Sequence, residues 1–394
     1  MTSSTPDQTG ADRILNVGVV GTGRWATRSH IPGWQRDPRC RVVGLADVDR
    51  DLVKAAGDQF GVDRVTDDYR ELVEDPDIDV IDVVTGDAMH FEVTMAALEA
   101  GKHVLCEKPV NHDYHEVVRA ADLAASKGLK TKLGFTFRYA PATMYAAELI
   151  KQGFVGDVYM INAYEQNSQW LDPMNPLRQQ NDPSDPDRIQ VASIEGYGAP
   201  VIDIMHWWMG APLTSVVGTM RNFVPRRMVR DTGRMERMNI DDGDMFIAEF
   251  EGGGLASVQS SFVTVGNFPG IEVRIYGSEG AIVVRLVEEN GICQTIKTAS
   301  KDEVEFVERE IPERFFPNGG SSLEAWPFLF YSNLVSDFAT EILSGGPENQ
   351  GDFRQGALVQ HTINAFEASH RQRAWVDFPL AGTRSATQPS TQNA

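Results

Sequence analysis

The stretch Asn16-Val17-Gly18-Val19-Val20-Gly21-Thr22-Gly23-Arg24-Trp25-Ala26 decides the fold of the N-terminal part of this 394-residue chain. The apolar residues from Ile14 to Val20 predict a short buried strand, and the pattern Gly-x-Gly-x-x-Ala follows it. Gly21 permits a tight turn, Gly23 lets the backbone approach a pyrophosphate, and the small Ala26 lets the next helix pack closely. The N-terminus of that helix would then face the phosphate charge.

A second predicted strand, from Arg41 to Ala46, ends on Asp47. Dinucleotide-binding folds place an acidic residue at such a point, about 20 residues after the glycines, where it binds the adenosine ribose hydroxyls. A carboxylate at this position also repels a 2′-phosphate. The two features together predict NAD as the cofactor and disfavour NADP.

Strand and helix patterns alternate with short links over the next part of the chain. The predicted helices cover 50–60, 69–74, 89–100 and 114–126, and the predicted strands cover 79–84, 103–106 and 131–135. This alternation predicts an α/β fold, a doubly wound parallel sheet with helices on both faces. Its ligand crevice should lie at the carboxyl ends of the strands.

Strand patterns dominate after Tyr139, with one predicted helix at 142–151. The strands are predicted at 158–164, 215–221, 245–250, 255–262, 271–276 and 281–286, with hairpin turns at 252–254 and 278–280. Such a run predicts an α+β domain with a large, mostly antiparallel open sheet. The predicted division is a dinucleotide-binding domain at 14–138 and a second domain at 139–381, with loose tails at 1–13 and 382–394.

The composition excludes several classes of partner. A net charge of −20 disfavours nucleic acid, which would require a basic patch. The three cysteines, Cys40, Cys106 and Cys293, are scattered, so the sequence predicts neither disulfides nor a metal site. No stretch approaches the roughly 18 apolar residues of a membrane span, and no secretory signal is visible. The sequence therefore predicts a cytoplasmic protein without a membrane partner.

The motif Glu107-Lys108-Pro109 follows the predicted strand 103–106 directly, at the edge that faces the crevice. It ends the run Ala97-Leu98-Glu99-Ala100-Gly101-Lys102-His103-Val104-Leu105-Cys106-Glu107-Lys108-Pro109. With this run, the chain resembles the glucose-fructose oxidoreductase/inositol dehydrogenase/rhizopine-catabolism (Gfo/Idh/MocA) family of NAD(P)-dependent oxidoreductases. Further matching runs lie at 17–23, 85–90, 134–141 and 275–280, and the resemblance extends from Leu15 to Phe378.

The resemblance implies an enzyme that acts on CH–OH groups. The lysine matching Lys108 lies beside the nicotinamide and the reacting hydroxyl in this family, and the open sheet supplies the substrate pocket and subunit contacts of a dimer or tetramer. The implied cofactor-binding residues are Gly21, Gly23, Arg24, Trp25, Asp47, Thr85, His90, Glu107, Lys108 and Arg138. The predicted substrate-binding residues are Lys108, Tyr139, Trp170, Asp172, Tyr197 and His206. For Trp170 and Asp172 the prediction rests on residue type, since such side chains in a long loop could stack on and bind a sugar ring.

Several of these residues also have a purely structural explanation. His90 opens a helix, Arg138 and Tyr139 suit an interdomain contact, and Trp170 and Asp172 lie in a long predicted loop between Gln166 and Val191.

The family's second acid–base group departs from its usual pattern here. The family has an Asp, a His four residues later and a second Asp three residues after that. A gapless alignment of residues 195–210 puts Gly196 at the first Asp and Pro200 at the His, with Asp203 as the second Asp. Tyr197 or Glu195 would then be the nearest replacement.

A gapped alignment instead makes Asp203 and His206 the catalytic pair, at a spacing of three residues. Residues three apart lie on one helical face, so this alternative stays open. Pro200 suits the first turn of a helix that begins near Ala199 in either alignment.

Three functions are compatible with these observations. The first is an NAD-dependent dehydrogenase that oxidises a secondary hydroxyl of a sugar, polyol or glycoside. The second is NAD-assisted glycoside cleavage through transient oxidation of the sugar. The third is a cofactor-binding regulatory protein without turnover. Net production of NADH separates the first function from the second.

Overall fold

The computed structural model describes residues 13–178, 185, 188–266, 270–287, 293–303, 305–321, 324–344 and 351–379. The predicted loose tails lie outside these residues, apart from Arg13. The chain forms two compact units. Among these residues, unit 1 comprises those up to Tyr139 together with 316–356, and unit 2 comprises 140–315 together with 357–379.

Unit 1 contains a six-stranded sheet in the order β3-β2-β1-β4-β5-β6. All neighbouring strands pair in parallel. This order is the one expected for a dinucleotide-binding fold, and it confirms the predicted doubly wound sheet. The strands are β1 (Leu15–Val20), β2 (Cys40–Ala46), β3 (Val65–Thr66), β4 (Val80–Val83), β5 (His103–Cys106) and β6 (Thr131–Leu133).

The first five helices of the chain alternate with these strands. They are α1 (Ile31–Arg36), α2 (Arg50–Phe60), α3 (Arg70–Val73), α4 (Asp87–Glu99) and α5 (Tyr114–Ser126). A π-helical turn at Ala26–His30 runs directly into α1. The ends of α2 follow from its sequence, because the Asp49 side chain caps its first turn and Gly61 adopts a left-handed φ of 68° at its end.

Unit 2 is built on a nine-stranded sheet in the order β16-β15-β14-β13-β7-β12-β11-β8-β17. Its pairs are antiparallel except for β7 with β12, which confirms the predicted mostly antiparallel sheet. A separate hairpin joins β9 to β10. The strands are β7 (Val158–Gln166), β8 (Leu213–Arg221), β9 (Arg226–Val229), β10 (Arg234–Arg237), β11 (Gly243–Phe250), β12 (Leu255–Ser261), β13 (Ile271–Gly277), β14 (Gly280–Leu286), β15 (Thr295–Ser300), β16 (Val307–Glu308) and β17 (Val376–Asp377).

One face of the unit 2 sheet is exposed at its centre. Ile247 on β11 lies opposite Ser257 on β12, and Leu255 on β12 lies opposite Met160 on β7. Met245 and Ile247 are about half exposed, at 53% and 50%, while the alternate residues of β11 are buried. An apolar patch of Met160, Met245, Ile247 and Leu255 therefore faces outward within this unit.

Four further α-helices lie in the described part of the chain. They are α6 (Pro141–Lys151), α7 (Ala199–Met209), α8 (Trp326–Ser344) and α9 (Phe353–Gln372). A second π-helical turn, Ile194–Gly198, precedes α7, and Pro200 lies in the first turn of α7 as predicted. No helix in the described part of the chain is long and apolar enough to cross a membrane.

The observed division differs from the sequence-based one at α8. This helix belongs to unit 1, whereas the sequence-based division assigns it to the second domain. The reason is its apolar face, because Leu334, Val335 and Phe338 are fully buried in the same core as Trp34 and Leu15. The amphipathic pattern of a helix does not reveal which of two cores it joins.

Candidate functional site

The glycine-rich loop between β1 and α1 leaves room for a ligand. Gly21 has a φ of 96°, and a Cβ atom there would clash with the backbone of Val84. A Cβ atom on Gly23 would meet no atom within 4 Å. The loop is therefore closed against the protein at Gly21 and open at Gly23, which fits the close approach of a pyrophosphate. Arg24 follows the loop and is exposed.

Asp47 follows the last residue of β2 and binds the glycine-rich loop. Its Oδ2 atom accepts hydrogen bonds from the backbone nitrogen of Thr22 at 2.7 Å and from the Thr22 hydroxyl at 3.1 Å. Its Oδ1 atom accepts from the backbone nitrogen of Asp49 at 3.1 Å. The predicted ribose-binding carboxylate is thus held beside the loop, and it remains partly exposed.

Lys108 lies at the same edge of the sheet as the glycine-rich loop. The loop follows β1, the Thr85 turn follows β4 and Lys108 follows β5, so all three stand at carboxyl ends of neighbouring parallel strands. Lys108 is partly buried, and its backbone nitrogen donates a hydrogen bond to Oε2 of Glu107 at 3.3 Å. Unit 1 therefore brings together the sequence-predicted glycines, Asp47 and Lys108 at one edge.

His90 joins two of these loops. Its Nδ1 atom lies 2.7 Å from the carbonyl oxygen of Pro109, and its Nε2 atom lies 3.1 Å from the carbonyl oxygen of Thr85. The ring is buried, at 2% exposure. These contacts support the structural explanation of His90, as a residue that fixes the Thr85 turn against the loop after Lys108. Direct contact with the cofactor remains a prediction for His90 and Thr85.

Glu107 is the centre of a buried series of hydrogen bonds. Its Oε1 atom accepts from the indole nitrogen of Trp25 and from Nε2 of His30, both at 3.1 Å. On the other side of the ring, Nδ1 of His30 lies 2.9 Å from Oδ2 of Asp82. Asp82 also accepts from the indole nitrogen of Trp34 at 2.7 Å.

The charged groups in this series of hydrogen bonds stabilise each other. Burial alone would lower the pKa of His30, but the charges and hydrogen bonds of Asp82 and Glu107 outweigh burial and raise the pKa to about 9. Burial likewise favours the neutral form of Glu107, but its bond to His30 and the nearby charges of His30 and Lys108 leave its pKa lowered. At neutral pH His30 is therefore an imidazolium bound between Asp82 and Glu107.

The sequence analysis missed His30 and Asp82. His30 lies 52 residues before Asp82 and 77 before Glu107, so no local spacing links them. One signal was available, since Asp82 interrupts an otherwise apolar strand that is buried on both faces. A carboxylate at such a position requires a partner.

Arg138 and Tyr139 are both buried, at 2% and 3% exposure. They lie in a 3₁₀ turn, Thr136–Tyr139, and Tyr139 belongs to the hydrophobic core of unit 1. The ammonium of Lys132 lies 5.4 Å from the centre of the Tyr139 ring. For Tyr139, this burial favours a packing role over the substrate contact that the resemblance implies.

His206 is a buried residue of unit 2. Its Nε2 atom lies 2.8 Å from the hydroxyl of Thr362 on α9, and its ring meets Phe250 edge-on. Burial, with the electrostatic effect of the neighbouring His361, lowers the pKa of His206 to about 3, so the ring stays neutral in the physiological range. Asp203 is fully buried on the same helix. This environment supports a structural role for His206 more than an acid–base one.

Tyr197 lies in the π-helical turn Ile194–Gly198 and remains partly exposed. Its hydroxyl oxygen accepts a hydrogen bond from Nε2 of Gln169 at 3.4 Å. A Cβ atom on the preceding Gly196 would lie 2.9 Å from two carbons of the Phe262 ring, so a side chain has no space there. The neighbouring Glu195 is buried and accepts from Gln360 at 2.7 Å.

Trp170 and Asp172 have protein partners in unit 2. The Trp170 ring stacks on Phe262 with 4.2 Å between ring centres, and the guanidinium of the buried Arg227 lies 5.8 Å from the Trp170 ring. Asp172 is exposed, and its carboxylate accepts from the backbone nitrogen of Met174 in a turn. For Trp170, these contacts favour packing over the sugar stacking predicted from its residue type.

The turn that carries Tyr197 is anchored by a buried acidic pair that the sequence analysis missed. Asp241 accepts from the backbone nitrogens of Ala192, Ser193 at 2.9 Å and Ile194 at 3.1 Å. Asp244 is also buried, and burial together with the negative charge of Asp241 raises the pKa of Asp244 well above its ordinary value.

Comparison with known families agrees with this geometry. Residues 15–135 match the model of the GFO/IDH/MocA oxidoreductase family, described as an NAD-binding Rossmann fold. Residues 143–283 match the model of the GFO/IDH/MocA C-terminal domain. The chain belongs to this family. It is an oxidoreductase with NAD as its cofactor, as the glycine-rich loop and Asp47 predict.

Two curated relatives cover most of the chain. Levoglucosan dehydrogenase of Pseudarthrobacter phenanthrenivorans is 26% identical and covers 93% of this chain and 98% of its own length. Inositol 2-dehydrogenase/D-chiro-inositol 3-dehydrogenase of Lactiplantibacillus plantarum is 25% identical, over 70% of this chain and 73% of its own length.

Solved structures share the fold. An oxidoreductase domain protein from Kribbella flavida superposes with a TM-score of 0.83 at 27% identity, over 93% of this chain and 100% of its own. A levoglucosan dehydrogenase in complex with NADH and levoglucosan superposes with a TM-score of 0.82 at 24% identity, over 93% and 100% of the two chains.

Proposed function

We propose that this protein is an NAD-dependent dehydrogenase that oxidises a secondary hydroxyl of a sugar, polyol or glycoside. The observation that carries the proposal is the place of Lys108, which stands at the same sheet edge as the open glycine-rich loop. The proposal is also supported by two relatives that match most of the chain, which are named for levoglucosan and for inositol.

The chain's own residues suit the cofactor. Gly21 and Gly23 would receive the pyrophosphate, and Asp47 would bind the ribose hydroxyls. When bound, NAD supplies the acceptor for a hydride. The protein must then orient the alcohol and remove its hydroxyl proton, which is the task that we assign to Lys108. Lys108 would hold the hydroxyl by a hydrogen bond and pass its proton toward solvent as the carbonyl forms.

Within unit 2, Tyr197 has the properties of an acid–base group more than His206 has. Tyr197 is a partly exposed residue whose hydroxyl accepts a long hydrogen bond from the Gln169 amide, whereas the His206 ring is buried against Thr362. We therefore favour the gapless alignment, in which Gly196 and Pro200 replace the usual pair and Tyr197 is the neighbouring titratable group.

The test is an assay of NADH formation with a panel of candidate substrates. The panel contains levoglucosan, inositols, aldoses and aryl glycosides, each with saturating NAD. A dehydrogenase accumulates one NADH for each carbonyl formed. Release of an aglycone without NADH would indicate glycoside cleavage instead. Tight NAD binding without turnover on any member of the panel would favour a regulatory protein and contradict the proposal.

A further inference from the structure

The buried series of hydrogen bonds around Glu107 requires a proton on both nitrogens of His30. Each ring nitrogen faces a carboxylate, Asp82 at 2.9 Å on one side and Glu107 at 3.1 Å on the other. A neutral imidazole has one N–H group and one lone pair, so it would turn the lone pair toward a carboxylate. Only the imidazolium donates to both. His30 is fully buried, so water cannot replace either partner.

The surroundings hold this arrangement rigidly. The rings of His30 and Tyr331 lie 4.2 Å apart, centre to centre. Trp34 donates to Asp82 and Trp25 donates to Glu107, so each carboxylate has a second donor. Gly134 packs against Glu107 so closely that a Cβ atom there would clash with its carboxylate. The titratable groups that face His30 are Asp82, Glu107 and Tyr331.

This series of buried hydrogen bonds ends at Lys108. Oε1 of Glu107 is bound by His30 and Trp25, and its other oxygen accepts from the backbone nitrogen of Lys108. His30 also ends the π-helical turn that follows the glycine-rich loop. Such turns insert one extra residue and often occur at functional sites. This helical turn therefore connects the loop predicted to bind the cofactor with His30, and His30 is linked through Glu107 to the backbone of Lys108.

We propose that His30 is a positioning residue: as an imidazolium between Asp82 and Glu107, it fixes the Glu107 carboxylate beside Lys108 and balances the negative charge near the lysine ammonium. With His30 charged, the three buried groups carry a net charge of −1. While both carboxyl groups stay ionised, loss of the imidazolium leaves a net charge of −2 beside Lys108, which holds a proton on the lysine more tightly. This inference rests on the proposed function and deepens it, because it names His30 as the residue that sets how tightly the proposed catalytic lysine holds its proton.

The test measures Lys108 directly and requires neither substrate nor turnover. The full-length protein is labelled briefly with a limiting amount of acetic anhydride at pH 8, and mass spectrometry gives the labelling rate of Lys108 relative to a free amine. Only the neutral amine reacts. In His30→Gln we expect the titration of Lys108 to move up by about one pH unit, and its labelling at pH 8 to fall about tenfold.

Two further variants test the direction in which the labelling rate of Lys108 changes. Glu107→Gln removes a negative charge, so Lys108 should be labelled faster than in the wild type. His115→Gln is the matched control, because His115 pairs with Asp113 at 2.9 Å on the exposed surface. It should leave the labelling of Lys108 unchanged. A purely structural role for His30 would not give opposite changes in His30→Gln and Glu107→Gln.

Unchanged labelling of Lys108 in a folded His30→Gln protein would overturn the inference. If that variant does not fold, histidine NMR of the wild type decides, and a neutral His30 ring at pH 7 would overturn it equally. Failure of the proposed function is distinguishable, since a normal turnover of Lys108→Ala would contradict the catalytic role and leave the labelling result intact.

Discussion

The Asp47 carboxylate lies 2.7 Å from the backbone nitrogen of Thr22, so the predicted ribose-binding acid also anchors the glycine-rich loop. One side chain thus has two separable properties. We expect its charge to repel a 2′-phosphate, and its oxygen atoms accept hydrogen bonds from the loop.

The two properties predict different results for two substitutions. Asp47→Asn keeps an oxygen acceptor for Thr22 but loses the charge, so it should reduce the preference for NAD over NADP at least about tenfold. Asp47→Ala also loses the acceptor and should weaken the binding of both cofactors. Fluorescence titration with NADH and NADPH measures both effects. Undiminished discrimination in Asp47→Asn would remove the role assigned to the charge.

Tyr197 and His206 are distinguished by single substitutions under saturating NAD. Tyr197→Phe removes only the hydroxyl of this partly exposed residue, and it should lower turnover about 100-fold if that group takes part in proton transfer. His206→Gln retains a hydrogen bond to Thr362 and should leave turnover near the wild-type value. The opposite pattern of turnover numbers would revive Asp203 and His206 as the family pair, at a shifted spacing.

The acidic pair in unit 2 predicts a pH dependence of stability. Asp244 binds its proton more tightly when folded than when unfolded, because burial and Asp241 raise its pKa. The unfolded carboxyl ionises near pH 4, so this group lowers stability progressively as pH rises above that value. Asp244→Asn needs no proton and should raise Tm by a few degrees more at pH 8 than at pH 5.

Differential scanning calorimetry at the two pH values measures this difference. Asp231→Asn serves as the control, because Asp231 is exposed in the turn between β9 and β10 and should give the same small change at both. An Asp244→Asn protein whose gain in Tm is equal at pH 5 and pH 8 would show that Asp244 is not protonated in the folded state.

The outward apolar patch of unit 2 predicts a subunit contact. Large exposed apolar patches usually mark interfaces, and Met245 and Ile247 are half exposed at the centre of the sheet. We expect a symmetric dimer or a tetramer at micromolar concentration, and Ile247→Glu should dissociate it. Leu52→Glu on α2 is the control, since Leu52 is 41% exposed in unit 1. A wild-type monomer in multi-angle light scattering would contradict the predicted assembly.

The parts of the fold that local patterns determine were predictable from the sequence. The parallel sheet, the limits of α2 and the hairpins around 252–254 and 278–280 follow from periodicity and glycine turns, and they agree with the structure. The strands β9 and β10 were missed because they are rich in arginine. β15, with the sequence Thr-Ile-Lys-Thr-Ala-Ser, was missed because it has few apolar residues.

The candidate site was predictable only where one motif carries it. Gly21, Gly23, Asp47 and Lys108 stand in recognisable runs, so the sequence places them correctly at strand ends. The bond between His30 and Glu107 joins residues 77 apart and depends on the tertiary fold. For the same reason, the sequence gives no warning that Tyr139 is buried or that Phe262 fills the space beside Gly196.

The central claim is that Lys108 removes the hydroxyl proton during NAD-dependent oxidation. The most direct measurement is the single-turnover rate of NADH formation by Lys108→Ala, with saturating NAD and the best substrate of the panel. Lys54→Ala is the control, because Lys54 is an exposed lysine of α2. We expect Lys108→Ala to lose at least about 100-fold in this rate while its affinity for NADH changes little, and Lys54→Ala to match the wild type. A Lys108→Ala protein that forms NADH at a rate close to the wild type would contradict the account.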